Sequence, residues 1–217
     1  MDLVALFQLA APVLLRATLL TLGFAVAAMV LGLALGAVIA LVRVLEVPGL
    51  QWLVRGYVSL FRGTPLLVQV FVIYYGLPSI GIEFSPLVAG VLALTLNVGA
   101  YLSEGLRGAM VGIGNGQWLA GASLGLTRVQ TLRHVVAPQA LRIAVPSLSN
   151  SLIGLIKDTS LISVIAVTEL MLATKELIST TFQPFPLYLA AAGIYWVLSL
   201  TFEALQRRME KRLAFPH

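Results

Sequence analysis

The chain has 217 residues, of which 59% are hydrophobic and only 11% charged, with a formal net charge of +5 and a mean hydropathy of +0.97. So little polar surface excludes a soluble domain of this size, and apolar runs of roughly 20 residues define a polytopic helical membrane protein; a membrane barrel would alternate in short segments instead. With no cysteine, disulfides, thiolate-bound clusters and thiol chemistry are excluded, and His134 and His217 lie too far apart in sequence to suggest a metal site.

Met1-Asp2 precede the first apolar run without a basic flank, so no cleavable signal is expected. In chain order, the first span is predicted over residues 14–42, where Gly32 and Gly36 form a small-xxx-small pair that admits a close helix. A loop over 43–62 follows. The second span is expected over 65–77, or from near Tyr57 if Pro65 lies inside it. A short connection over 78–86 leads to the third span at 87–106 and then a long insert at 107–138. The fourth span is expected over 140–167, a mixed loop over 168–186, the fifth span over 187–205, and a basic tail from Gln206. No composition break divides the chain, so residues 1–217 read as one membrane domain.

Positive charge sorts into alternate connections, which argues for membrane orientation rather than nucleic acid. Arg43, Arg55 and Arg62 oppose Glu46 after span one. Arg107, Arg128, Arg133 and Arg142 follow span three, and Arg207, Arg208, Lys211 and Arg212 follow span five. Basic loops stay in the cytosol. Five spans with the N-terminus outside and the C-terminus cytosolic satisfy every connection, with Arg16 snorkelling near the outer end of span one.

The insert is the most informative segment. Residues 115–124 fit a short helix, Gly125 offers the left-handed residue that ends one, and Thr127 with Gln130 forms a Thr-x-x-Gln capping box for the next. Val129, Leu132, Val135 and Val136 are spaced to share a face, and Pro138 is expected to interrupt the helix. The small residues 120–123 make the first helix thin. This pattern fits a helix seated in a partner's groove and, equally, an amphipathic helix resting on lipid.

Specific residues narrow the choice. The segment from Gly116 to Thr127, Gly-Gln-Trp-Leu-Ala-Gly-Ala-Ser-Leu-Gly-Leu-Thr, with Pro138-Gln-Ala-Leu-Arg142 beyond it, resembles the EAA loop of ABC importer permeases. Arg62-Gly-Thr-Pro-Leu66, Asn97-Val-Gly-Ala-Tyr-Leu-Ser-Glu104 and Lys157-Asp-Thr-Ser-Leu161 are similar to the polar amino acid branch, the His/Glu/Gln/Arg/Lys/opine type. The chain departs from the pattern where Leu119 stands for the usual Glu and Gly121 for the second Ala. The resemblance implies coupling to an ATPase through Gly116, Gln117, Leu119, Ala120, Gly121, Gly125, Thr127 and Arg128. It also implies ABC ATPase subunits that bind ATP and Mg, a second permease subunit as homodimer or heterodimer, an external amino-acid-binding protein, and a bacterial inner membrane. No Gly-x-x-x-x-Gly-Lys-[Ser/Thr] occurs, so no nucleotide cofactor is expected on this chain.

Charges within spans cost about 2.5–3.5 kcal/mol on insertion scales, so each asks for a reason. Asn97, Tyr101, Asp158, Thr159 and Ser160 are candidates for a polar mid-membrane cavity on a substrate pathway; inter-helix hydrogen bonding is the alternative for each. Glu104, Arg107, Lys157 and Arg62 read as structural polar groups, with Glu104 pairing Arg107 one turn on. The function expected is an importer permease for polar amino acids, not an enzyme. The competing classes are an intramembrane enzyme, for which no nucleophile–base pair is found, and a passive channel or lipid-bound scaffold.

Overall fold

The computed structural model describes residues 2–213; His217 lies outside them. Helix α1, Leu3–Val44, is 42 residues long, roughly 63 Å at 1.5 Å per residue. It begins eleven residues before the expected start at 14. The extension has a packing partner: Leu6, Ala10 and Leu14 bury against Leu170, Leu177 and Leu187. The small-xxx-small expectation holds. A Cβ on Gly32 would come within 2.5 Å of Val98 Cγ1, and one on Gly36 within 2.9 Å of the Gly99 carbonyl, so α1 lies directly on α4.

Residues 43–62 are not the expected loop. Most of them belong to helix α2, Leu50–Gly63, whose Tyr57 hydroxyl donates to the Leu96 carbonyl. Pro65 then breaks the chain, because it has no N–H to give and holds Thr64 extended (φ −119°, ψ 147°). The next arm consists of α3, Leu66–Phe71, a wide π turn at Val72–Gly76 and a tight 3-10 turn at Leu77–Ile80. The two arms bend by 110°, so the expected second span is a bent helix pair with Pro65 inside it, at the break.

Helix α4, Pro86–Val111, passes the expected end at Leu106. Helix α5, Asn115–Ser123, and the short α6, Arg128–Thr131, form the insert. A π turn at Leu132–Val136 leads into α7, Ala137–Asp158, and a 3-10 turn at Thr159–Ile165. Pro138 does not interrupt this run: residues 128–165 form one rod of 38 residues. The wide π turn lies directly before the proline ring, where an added residue gives the lost N–H and its carbonyl room. Helix α8, Leu170–Thr181, occupies what was expected to be a loop at 168–186, and α9, Pro184–Leu213, absorbs the basic tail.

Among the described residues, four helices are long and apolar enough to cross a membrane, or five if the bent pair counts as one span. The centre is packed by Ala25, Ala28, Ala93, Leu94, Ile156 and Ile162. A second cluster, including Ala40, Leu106, Leu132 and Val136, fixes the insert end.

Candidate functional site

The insert is a rigid projection. Helix α5 closes in a Schellman motif: the Leu126 N–H donates to the Gly121 carbonyl (3.0 Å) and the Gly125 N–H to that of Ala122 (2.9 Å), with Gly125 at φ +77°. Both halves of the capping box form. The Gln130 N–H donates to Thr127 Oγ1, and the Thr127 N–H to Gln130 Oε1 at 2.8 Å. Gly121 sits against Thr131, whose Oγ1 would be 2.4 Å from a Cβ there. Of the eight candidate coupling residues only Gly121 is buried; Gly116, Gln117, Leu119, Ala120, Gly125, Thr127 and Arg128 are exposed. The buried face behind them is Leu132, Val136 and Ala140. Val129 is not on it and stands 59% exposed, beside Leu119 at 67% and Leu124 at 79%.

Arg128 ties the insert to the α1–α2 corner. Its Nη2 donates to the Val44 carbonyl (3.1 Å), Nη1 lies 3.7 Å from Glu46 Oε2, and the guanidinium sits 6.0 Å from the Trp118 ring centre. Between these elements opens a cavity of about 710 Å³ whose lining includes Arg43, Arg55, Arg107 and Arg128.

Glu104 pairs with Arg107 as expected, Nε to Oε1 at 3.2 Å and Nη2 to Oε2 at 2.9 Å. The sequence did not reveal that Arg43 also donates to Oε1 and that Arg62 Nη1 lies 3.8 Å from Oε2. Arg43 had looked like an orientation charge of a loop. Arg62 also lies over the Tyr101 ring at 5.3 Å. One carboxylate thus gathers three arginines from α1, α2 and α4. Lys157 is apart from this group, exposed on α7, where it lines a cavity of about 390 Å³ with Glu203 and Arg207.

A third cavity, about 670 Å³, lies where the broken helix meets α4 and α7. It brings together Asn97, Tyr101 and Asp158 and adds Thr64, Ser147, Asn150 and Ser151. Thr159 and Ser160 do not line it. The Thr159 hydroxyl is buried and donates to the Ile156 carbonyl, and that of Ser160 donates to Lys157's; as the 3-10 turn tightens after Asp158, both hydroxyls serve the backbone. Asn97 has a second task. Its Nδ2 donates to the Phe61 carbonyl (3.2 Å) and Gln69 Oε1 (3.0 Å), while Gln69 Nε2 donates to the Phe61 and Thr64 carbonyls (2.9 and 3.1 Å). These amides satisfy the carbonyls that Pro65 frees.

Another polar knot was not legible in the sequence. Glu169 is fully buried at the N-terminus of α8; its Oε1 accepts from the Leu172 N–H and Oε2 from the Tyr195 hydroxyl, both at 2.8 Å. The Leu170 N–H donates to Thr21 Oγ1. Burial pushes the Glu169 carboxyl above its ordinary range, against the N–H groups, Tyr195 and Lys175, which draw it down.

A bundle with a broken second crossing, a polar cavity between spans and a projecting helix–turn–helix defines the membrane subunit of a binding-protein-dependent ABC importer. The comparisons agree. The chain belongs to the family described as binding-protein-dependent transport system inner membrane component, matched over residues 32–215. It is 40% identical to the L-cystine transport system permease protein TcyB of Bacillus subtilis, covering 93% of this chain and 87% of that protein. It is likewise 40% identical to the arginine ABC transporter permease protein ArtQ of Haemophilus influenzae, covering 90% and 91%. The crystal structure of an amino acid ABC transporter with histidines superposes with a TM-score of 0.91 at 32% identity, over 98% of this chain and 99% of that one. The MetNI methionine ABC transporter, at 17% identity and a TM-score of 0.75, shares the fold.

Proposed function

We propose that the chain carries polar amino acids across a bacterial inner membrane as one permease subunit of an importer. ATP and Mg are bound by separate ATPase subunits, and an external binding protein delivers the substrate. The N-terminus faces outside, and the insert and C-terminus face the cytosol. A second permease subunit completes the pathway. Residues 1–217 act as one transmembrane domain, with residues 107–138 as its coupling loop, and no nucleotide is bound on this chain.

One observation carries this reading: the rod over residues 128–165 joins the insert at one end to Asp158 of the 670 Å³ cavity near the other. The distance from Arg128 to Asp158 is about 45 Å along the helix. A displacement imposed on α5 and α6 therefore reaches the cavity through covalent structure. Gly116, Gln117, Leu119, Ala120, Gly125, Thr127 and Arg128 form the docking surface, and Gly121 sets its geometry. In the cavity, the Asp158 carboxylate attracts the substrate's ammonium group, and Tyr101, Asn150 and Ser151 supply polar contacts. Asn97 holds the broken helix that forms one wall. Glu104, Arg107, Arg62 and Arg43 fix the helix ends, and the ATPase supplies the work by binding one conformation better than the other.

Reconstituted vesicles holding this chain, its co-purified subunits and the binding protein should take up a polar amino acid only with ATP inside the ATPase-facing compartment. A photo-reactive residue at Leu124 should cross-link to the nucleotide-binding subunit. Uptake that persists without ATP, or labelling of Leu124 from the outer face, would refute the reading.

A further inference from the structure

The cavity beside α5 is short of negative charge. Four guanidinium groups line it, from Arg43, Arg55, Arg107 and Arg128. Two carboxylates reach them: Glu104 takes Arg43 and Arg107, and Glu46 stands 3.7 Å from Arg128. Arg55 has no carboxylate partner among the described residues; it touches only Gln51 (3.3 Å) and the Trp52 ring. Two positive charges are left over in a water-accessible recess. The departure at Leu119 falls at this place, since Leu119 lines the same recess where the loop pattern would put a carboxylate.

From these features we infer that the recess receives an acidic side chain of the ATPase subunit, a deepening of the coupling reading on which it rests. The permease lacks the carboxylate, so the partner brings it. A lipid headgroup would match the charge alone. The recess is also lined by apolar side chains, Met110, Val111 and the 67% exposed Leu119, and a headgroup would leave them in water. A protein surface with an acid set among apolar side chains covers both. Such a charge steers association and fixes register, and its contribution falls with salt.

The test uses the full chain in nanodiscs and the nucleotide-binding subunit purified with it. Affinity between the two is measured over a range of salt for the native chain, Arg55→Glu, Arg55→Ala and Arg55→Lys. Arg55 is exposed, so the variants should elute and melt like the native chain. Arg55→Glu is expected to weaken binding about tenfold at low salt and to flatten the salt dependence, Arg55→Ala to do so less, and Arg55→Lys to retain both. A cross-linker at Ala122 should capture an ATPase peptide containing Asp or Glu. Unchanged affinity and salt slope in Arg55→Glu, while Leu124 still cross-links to the ATPase, overturns the acidic partner and leaves the coupling reading standing. Failure of Leu124 to cross-link overturns both. An effect of Arg55→Glu seen only as lost dependence on phosphatidylglycerol assigns the recess to lipid and overturns the proposal.

Discussion

Gly121→Ala is the sharpest test of how the insert is built. The substitution restores the residue usual in the loop, so pattern alone predicts a gain. Geometry predicts the reverse. The new Cβ would meet Thr131 Oγ1 at 2.4 Å, Cγ2 at 2.5 Å and Cβ at 3.0 Å. Thr131 is buried at the start of the rod and α5 is the freer element. Helix α5 must retreat by about 1 Å to reach ordinary van der Waals separation. Overpacking of this kind costs about 1–3 kcal/mol, and alanine returns about 1 kcal/mol in helix propensity, so the net loss is about 1 kcal/mol. Trp118 lies on the same helix and reports its melting by fluorescence, once the other two tryptophans are replaced. The ratio of transport to ATP hydrolysis should fall with α5 displaced. Thr131→Ala should recover most of both losses in the double mutant, because it removes Oγ1 and Cγ2, the two closest contacts, and leaves only Cβ at 3.0 Å. A Gly121→Ala chain that melts higher and couples as well as the native one, with no interaction energy in the cycle, would refute the packing argument.

Asn97→Leu should lower stability by about 1–3 kcal/mol in denaturant titration, since the buried Gln69 Oε1 loses its donor and the Phe61 carbonyl keeps only that of Gln69; Gln69→Leu should cost at least as much, as the Phe61 carbonyl and both Thr64 oxygens lose its Nε2 donor. Leu119→Glu should weaken binding and stimulation of the ATPase, because a carboxylate of the chain's own would take the recess arginines proposed for the partner's acid; stronger stimulation would count against the acidic partner. Asp158→Asn should lower uptake of amino acids by tenfold or more with little change in basal ATP hydrolysis, read in vesicles. The raised carboxyl of Glu169 favours the protonated folded state, so its stabilising contribution is full below the ordinary glutamate pKa of about 4.3 and fades as pH rises through the raised value. Melting temperature should therefore decline over that window in the native chain and stay level in Glu169→Gln.

What the sequence revealed was local. Gly125, the Thr127–Gln130 box and the Glu104–Arg107 pair are settled by atoms within four residues, and each stands as expected. What stayed hidden depends on distant partners. Residues 168–186 read as a loop because Glu169, Lys175 and Glu176 break their apolar character; only α1 and α9, across the bundle, explain why Leu170 and Leu177 are buried. Asn97 read as a pathway group because its acceptors at Phe61 are exposed by a break whose sharpness one proline did not announce. The cavity wall was partly within reach. Ser147, Asn150, Ser151, Gly154 and Asp158 recur at three- and four-residue steps, a polar stripe on one face of α7.

The packing of the rod bears on how it moves. Helices α1 and α4 clamp each other through Gly32, Gly36 and Gly99, with contacts too close for any Cβ at the first two. The rod also meets α4 through glycines. A Cβ on Gly105 would come within 2.6 Å of the Ser147 hydroxyl and one on Gly90 within 3.2 Å of Ile162 Cγ2, so small residues line both ends of this seam. Sliding of packed helices by an ångström or two is the shear form of domain motion. On this view α1, α2 and α4 are the frame and residues 128–165 the moving part. The ion cluster at Glu104 lies wholly within the frame, joining α1, α2 and α4, so the rod can shift without breaking it. Arg128, at the corner beside Glu46, links rod to frame by charge. That link is exposed and weak, at about 1 kcal/mol or less, as a joint between frame and lever has to be.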